Sequence, residues 1–311
     1  MLSFFCHQLG GVHFLIQGQH FPFCHKTTKD PISNYFFQPN IMMNPTRGFY
    51  QAIITIVLAF AALQPAWAQN DAEALAKKLA NPVSSLISLP FQVNTDYGIG
   101  RFNGSRNTIN VQPVVPISIA PKWNLIARVV LPIVSQFDIT GENTHQGGLS
   151  DAVATGFFSP KEAKNGLTWG AGPAFLIPTA TNEFLGTKKW AVGPSAVALK
   201  QANGWTYGGL FNQLWSFAGD KDRADVSQLF LQPFVTYNWK SGAGIGGAME
   251  LTQNWKTDTF SGVLVPTVSG VTKVGKQTVS LAAGPRIPIA GPASSRPNFG
   301  WRAVVTLVFP K

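Results

Sequence analysis

The chain is poor in charge. Asp, Glu, Lys and Arg make up 12% of its 311 residues, whereas an ordinary soluble domain carries roughly a quarter. So little ionic surface does not suit a molecule wrapped in water on all sides. Thiols are scarce as well: the two cysteines, Cys6 and Cys24, both lie near the start, so the rest of the chain holds neither a disulfide framework nor a thiolate metal site. After residue 68 one histidine remains, His145, which leaves little for transition-metal binding or imidazole acid–base chemistry. No cofactor is expected. Nothing resembles a Gly/Ser or charged linker, which favours one domain. Beyond residue 68 there is also no run of about 20 apolar residues, the length a membrane helix needs. If the chain crosses a bilayer, it does so with strands.

The one strongly apolar run is Ala52–Leu63, which follows Arg47 and precedes Pro65-Ala66-Trp67-Ala68. A basic segment, a short apolar core and small residues at Ala66 and Ala68 are the parts of a secretory signal cleaved after Ala68. No cysteine follows the apolar core, which argues against a lipid anchor. The signal starts near Met42 or Met43, so residues 1–41 read as an extension upstream of the true start. Cys6, His7, Cys24 and His25 lie there without paired-finger spacing, and they are not read as a zinc site. The mature chain then has 311 − 68 = 243 residues. Its basic residues fall from 24 to 21 and its acidic ones from 14 to 13, so the net charge drops from +10 to +8. The expected organisation is an extension over 1–41, a signal peptide over 42–68, a periplasmic segment over 69–90 and a barrel over 91–311.

Asp71–Leu79 has the composition of a short amphipathic helix that Asn81-Pro82 would stop, either a periplasmic lead-in or a plug. From Phe91 on, period-two alternation replaces helical periodicity. Trp123, Leu125, Ala127, Val129, Leu131 and Ile133 alternate with Asn124, Arg128 and Gln136. Phe299, Trp301, Ala303, Val305, Leu307 and Phe309 alternate in the same way with Arg302 and Thr306. One face is apolar over about ten residues, enough for a tilted strand to cross the hydrocarbon. The expected strands are approximately 90–101, 107–119, 123–136, 149–158, 167–178, 190–200, 205–217, 227–239, 243–254, 261–273, 278–289 and 299–309. Those at 149–158, 190–200 and 243–254 are rich in Ala and Gly, and their alternation is blurred. Twelve is an even number, as single-chain bacterial barrels have.

Connection lengths alternate too. Pro121-Lys122, Gln201–Gly204, Lys240–Gly242 and Val274–Gln277 are tight, with Ser159–Gly166 longer. Phe137–Gly148, Thr179–Lys189, Ala218–Val226, Trp255–Phe260 and Ala290–Asn298 are mostly longer and more polar. Short periplasmic turns opposite long external loops characterise outer-membrane barrels. Trp123, Trp169, Trp205 and Trp239 fall at the turn end of strands and Trp215, Phe217 and Trp301 at the other end, which suggests two interfacial girdles. The expected fold class is therefore all-β: a transmembrane antiparallel β-barrel of about twelve strands with a short N-terminal periplasmic helix. Its partners would be outer-membrane lipid, the barrel assembly machinery and a small solute. Basic residues are dispersed, so nucleic acid is not expected.

With the apolar parity facing lipid, the other parity faces the lumen: Asn110, Gln112, Arg128, Gln136, Gln228, Gln232, Thr236, Glu250, Arg286 and Arg302. An arginine in mid-hydrocarbon costs about 2–4 kcal/mol, which turns these side chains inward. Two outcomes stay open: a cationic pore that favours anions, or arginines paired with Glu250 or one another that brace a filled lumen. Gly242–Gly247 precedes no helix, so it offers no phosphate site and reads as relief of strand crowding. Twelve-stranded barrels include an outer-membrane phospholipase with a Ser/His pair, and a resemblance to that family would call for His and Ser two apart on an outward strand face. Here His145 falls in an expected loop with Ser150 five residues on, and that pattern is absent.

Several segments resemble a family. Gly148-Leu149-Ser150-Asp151, Gly172–Thr181, the Leu185-Gly186, Lys189-Trp190 and Gly193-Pro194 pairs, Trp215–Gly219, Phe230–Phe234 and the terminal Phe309-Pro310-Lys311 are similar to bacterial outer-membrane proteins grouped with the MetA-pathway of phenol degradation. The likeness spans residues 81–311. It implies an outer-membrane barrel that transports aromatic or other hydrophobic compounds, and it assigns no binding residues. Functionally, a channel or transporter is expected ahead of a structural or interaction barrel and a lipid-modifying enzyme.

Overall fold

The computed structural model describes residues 69–309. The expected extension over 1–41 and signal peptide over 42–68 lie outside the described residues. Helix α1 (Gln69–Leu79) is built from strong helix formers. Lys77 and Lys78 occupy its last turn, where the helix dipole favours cations. Asn81 Oδ1 then accepts from Val83 N at 2.9 Å and turns the chain toward the first strand.

Fourteen strand segments follow: β1 (Ile87–Ile99), β2 (Gly104–Val111), β3 (Val114–Ala120), β4 (Trp123–Phe137), β5 (His145–Leu149), β6 (Ala152–Pro160), β7 (Leu167–Ile177), β8 (Lys189–Ala202), β9 (Trp205–Gly219), β10 (Ser227–Asn238), β11 (Ala243–Asn254), β12 (Thr259–Val274), β13 (Gln277–Ala290) and β14 (Phe299–Phe309). Two pairs of segments are each one stave. Pro113, with no N–H, interrupts the second stave between β2 and β3, yet Gln112 N still donates to Pro90 O at 2.9 Å. β5 and β6 both pair with β4 on either side of Ser150-Asp151. Fourteen segments therefore make twelve staves, each antiparallel to its neighbours. The last stave pairs with the first from Ile87↔Phe309 to Tyr97↔Phe299, which closes the barrel and leaves no sheet edge.

Two details differ from the alternation pattern. The expected 107–119 strand is broken at Gln112-Pro113. The expected 149–158 strand starts earlier, at His145, so His145 opens a strand instead of sitting in a loop. Left-handed residues at Asp138 and Asn143, with Asp138 N bonded to Thr144 O at 2.9 Å, close the preceding loop tightly. Gly147 and Gly148 then carry no side chain that alternation could reveal.

Short turns at 121–122, 161–166, 203–204, 239–242 and 275–276 share one end with the start of β1 and the end of β14. Asn203 and Gly204, with φ 50° and 81°, form the type I′ turn whose twist suits a two-residue hairpin. Loops at 100–103, 138–144, 178–188, 220–226, 255–258 and 291–298 crowd the other end.

The outer face is apolar and exposed. It presents Val93, Ile109, Val115, Ile117, Ile133, Phe175, Leu231, Val235, Ile245 and Val305. The inner face is divided. Polar side chains project from β1, β2, β13 and β14. From β4, β6, β8 and β9, however, Ile126, Phe157, Val197, Leu199 and Leu210 pack inside the barrel around Val83, with Val114, Phe230 and Phe234 against them. Apolar residues on both faces explain the blurred alternation of the 149–158 and 190–200 strands.

Candidate functional site

The polar wall is organised around four ionised side chains on four strands: Asp96 (β1), Glu250 (β11), Arg286 (β13) and Arg302 (β14). Arg286 Nε lies 2.9 Å from Asp96 Oδ1, and its Nη1 lies 3.1 Å from Glu250 Oε2. Arg302 Nη1 meets Glu250 Oε1 at 2.7 Å and its Nη2 meets Oε2 at 3.0 Å, a two-pronged pairing. Arg302 Nε also donates to Asn94 Oδ1 at 2.7 Å. The register makes this cluster possible. Asp96 and Arg286 are both partners of Gly300, on either side of β14. A Cβ on Gly300 would collide with Asp96 Oδ1 and press on Arg286, so only glycine lets the two side chains meet across it.

Two further arginines face inward. Arg106 Nε donates to Gln136 Oε1 at 2.9 Å, and Gln136 Nε2 passes the chain to Gln146 Oε1 at 3.1 Å. Arg128 Nη2 donates to Gln112 Oε1 at 2.8 Å, and among the described residues no carboxylate lies within ion-pair distance of it.

Of the ten lumen candidates named from the sequence, Asn110, Gln112, Arg128, Gln228, Gln232, Glu250, Arg286 and Arg302 line one cavity of about 300 Å³ in the barrel interior, whereas Gln136 is taken up by Arg106 and Gln146 and Thr236 lies nearer the turn end. A second cavity, of about 320 Å³, lies toward the turn end and is lined partly by Ala76, Leu79, Asn81 and Pro82 of the N-terminal segment. Gln112, Arg128, Leu210 and Gln232 line both cavities, so the two meet at that level. Sequence reasoning missed Asp96, Arg106 and the apolar inner wall. No local spacing around Asp96 signals a partner 190 residues away.

The aromatic residues of the expected girdles lie on the outer face at the strand ends. Trp123 meets Trp169 edge-on at 5.8 Å, and Tyr237 lies against Trp205 at 5.0 Å and Trp239 at 5.5 Å, all at the turn end. Trp301 packs on Phe299 at 5.1 Å at the loop end, where Tyr97, Phe137, Trp190, Trp215 and Phe217 are also exposed.

The loop end is pinned by hydrogen bonds. Buried Asp151, at the break between β5 and β6, accepts from Thr187 N at 2.6 Å and Thr187 Oγ1 at 2.7 Å. Asp225 meets Lys189 Nζ at 3.0 Å. That hydrogen bond, the lysine charge and the Ser216 hydroxyl hold the Asp225 carboxyl below its usual range, and the backbone N–H of Asp222 followed by Lys188 does the same for Asp220. A depressed carboxylate keeps its contacts above the ordinary pKa and loses them only as pH falls through the lowered value. Pepsin should therefore nick loop 220–226 slowly at pH values just below about 4 and readily only well beneath the ordinary aspartate pKa. Nicking that already rises steeply at about pH 5 would contradict this.

Ser135 Oγ and His145 Nε2 lie 3.1 Å apart on the outer face, with the His145 ring stacked on Phe137 at 4.3 Å. The sequence pattern did not bring these two together, because they sit on neighbouring strands.

No family model matches the chain, and no curated protein is similar to it. Among solved structures it is similar to an outer-membrane channel from Pseudomonas putida F1, with 16% identity, 74% of this chain and 97% of that chain covered, and a TM-score of 0.57. It is more loosely similar to outer membrane phospholipase A from Escherichia coli, at 9% identity over 77% of this chain and 98% of that one, TM-score 0.43. These are likenesses of fold.

Proposed function

We propose that the chain is an integral outer-membrane barrel that lets small amphipathic compounds through its interior, and that it is related to the transport proteins grouped with the MetA-pathway of phenol degradation. The observation that carries this reading is the pair of adjoining cavities, one wall ionic and amide-lined and the other apolar, inside a closed barrel whose outer face is apolar. A water-soluble protein does not leave so large an apolar surface uncovered. On this reading the turn end is periplasmic and the aromatic residues at the two ends sit at headgroup level.

Purified protein in planar bilayers tests the reading: a small, steady conductance is expected, and absence of current would favour a structural barrel with a braced lumen. Current should mildly favour anions. The inward charges of Arg106, Arg128, Arg286 and Arg302 against Asp96 and Glu250 sum to +4 − 2 = +2. Because Arg286 and Arg302 are already compensated, Arg128→Gln alone should weaken the preference, and Arg106→Gln added to it should remove most of what remains.

The outward parity makes a second test. Val129 points outward and Val130 lines the cavity. Arg at Val129 or Leu131 should cost about 2–4 kcal/mol and impair assembly, and Arg at Val130 should be tolerated better. Equal tolerance at both parities would mean that the outer face does not meet lipid.

One observation favours a lipid-modifying reading, the Ser135–His145 contact. A serine activated in this way works with a third group that orients the imidazole. Among the described residues none contacts His145 Nδ1.

A further inference from the structure

Arg128 is the exception among the cavity's cations. Its guanidinium has five N–H donors, of which Gln112 Oε1 takes one. Arg286 and Arg302, on the same cavity, are matched to Asp96 and Glu250. A charge withdrawn from bulk water without a counterion is costly, and the cost falls when an anion joins it.

The surroundings of Arg128 narrow down what that anion is. The acidic group lining the cavity, Glu250, has both oxygens engaged by Arg286 and Arg302, so it neither neutralises Arg128 nor strongly repels an incoming anion. The same cavity is lined by Val130, Val153, Leu214 and Phe230. A bare inorganic anion would leave that apolar surface uncovered, and a neutral hydrocarbon would leave Arg128 unpaired. A molecule with one carboxylate and an apolar body satisfies both. The volume of about 300 Å³ lies at the small end of ligand sites and accommodates a single ring or a short acyl chain.

We propose that this cavity is a binding station for small monocarboxylates with an apolar body, the carboxylate on Arg128 and the body against Val130, Leu214 and Phe230. The proposal rests on the interior being open to solutes, as the functional reading above requires.

Calorimetric titration of the purified barrel with benzoate, acetate and benzyl alcohol, each corrected for a protein-free micelle blank, separates the two contributions. Benzoate should bind about tenfold or more tighter than acetate, which lacks the body, and than benzyl alcohol, which lacks the charge. Arg128→Gln should lose about tenfold for benzoate with benzyl alcohol unaffected, and Leu214→Asn should weaken benzoate while leaving acetate unchanged. Benzoate that binds no tighter than benzyl alcohol overturns the proposal. So does Arg128→Gln protein that binds benzoate as the unaltered protein does. If Arg128→Gln fails to fold, the three-ligand series on the unaltered protein still decides. Selective benzoate binding without conductance upholds the station and removes the channel reading, and conductance without benzoate selectivity does the reverse.

Discussion

Glu250→Ala should destabilise the folded barrel by about 3–5 kcal/mol, the scale seen when one member of a buried ion pair is removed. Glu250 is the hub of the polar wall. It binds both oxygens to Arg302 and one of them to Arg286. Its side chain and those of both arginines are mostly shielded from water, at 18%, 10% and 7% exposure. Without it, Arg286 keeps Asp96 as its counterion, and Arg302, left with Asn94, is uncompensated. The double variant Glu250→Leu, Arg302→Met leaves Asp96 and Arg286 as a balanced pair and should recover much of the loss, since apolar replacements of a whole buried pair are often neutral. Denaturant unfolding of the purified barrel reads both. A single variant as stable as the parent, or a double variant worse than the single, would show that the cluster does not act as a charge-balanced unit.

Deleting residues 72–84, with the first three residues of α1 retained, should raise the conductance several-fold without unfolding the barrel. Sheet pairing begins at Ile87, so no ladder is lost. What is lost is a stopper. Ala76 and Val83 are buried, and Val83 sits among Phe157, Val197 and Leu199 inside the barrel. Gln201 Nε2 donates to Lys77 O at 2.8 Å and ties α1 to the turn end. Removing Val83 exposes apolar surface worth about 1.5–3 kcal/mol, a modest loss for a barrel of this size. Val83→Asp is the milder version, since a carboxylate among these apolar groups should expel the segment. Conductance equal to that of the full chain in both variants would mean that the segment lies outside the solute path.

The outer face of β4 and β14 was legible because each runs apolar on one parity and polar on the other. The tight connection at Gln201–Gly204 was legible from its shortness, and the structure narrows it to Asn203-Gly204. The apolar inner wall was hidden because Val197 and Leu199 point inward from a strand whose other face is also apolar, which leaves no contrast to read. Asp96 was hidden for a different reason: its partners are Arg286 on another strand and the absent side chain of Gly300, and local alternation carries no information on either. The Ser135–His145 contact escaped because a strand pairing, not a spacing, creates it. Parity along a strand was therefore readable, whereas whatever depends on which strands meet across the barrel was not.

The ionic cluster also bears on how fast the barrel comes apart. Asp96 and Asn94 belong to the first strand, and their partners Arg286 and Arg302, 190 and 208 residues later, belong to the last two. None of these contacts can form before the final strand meets the first, so they mature after the sheet has closed. Interactions that are absent from the transition state act on the unfolding rate and leave the folding rate almost unchanged. The cluster therefore works as a latch fastened from within: insertion proceeds without it, and the finished barrel must break it before the join between β1 and β14 can open.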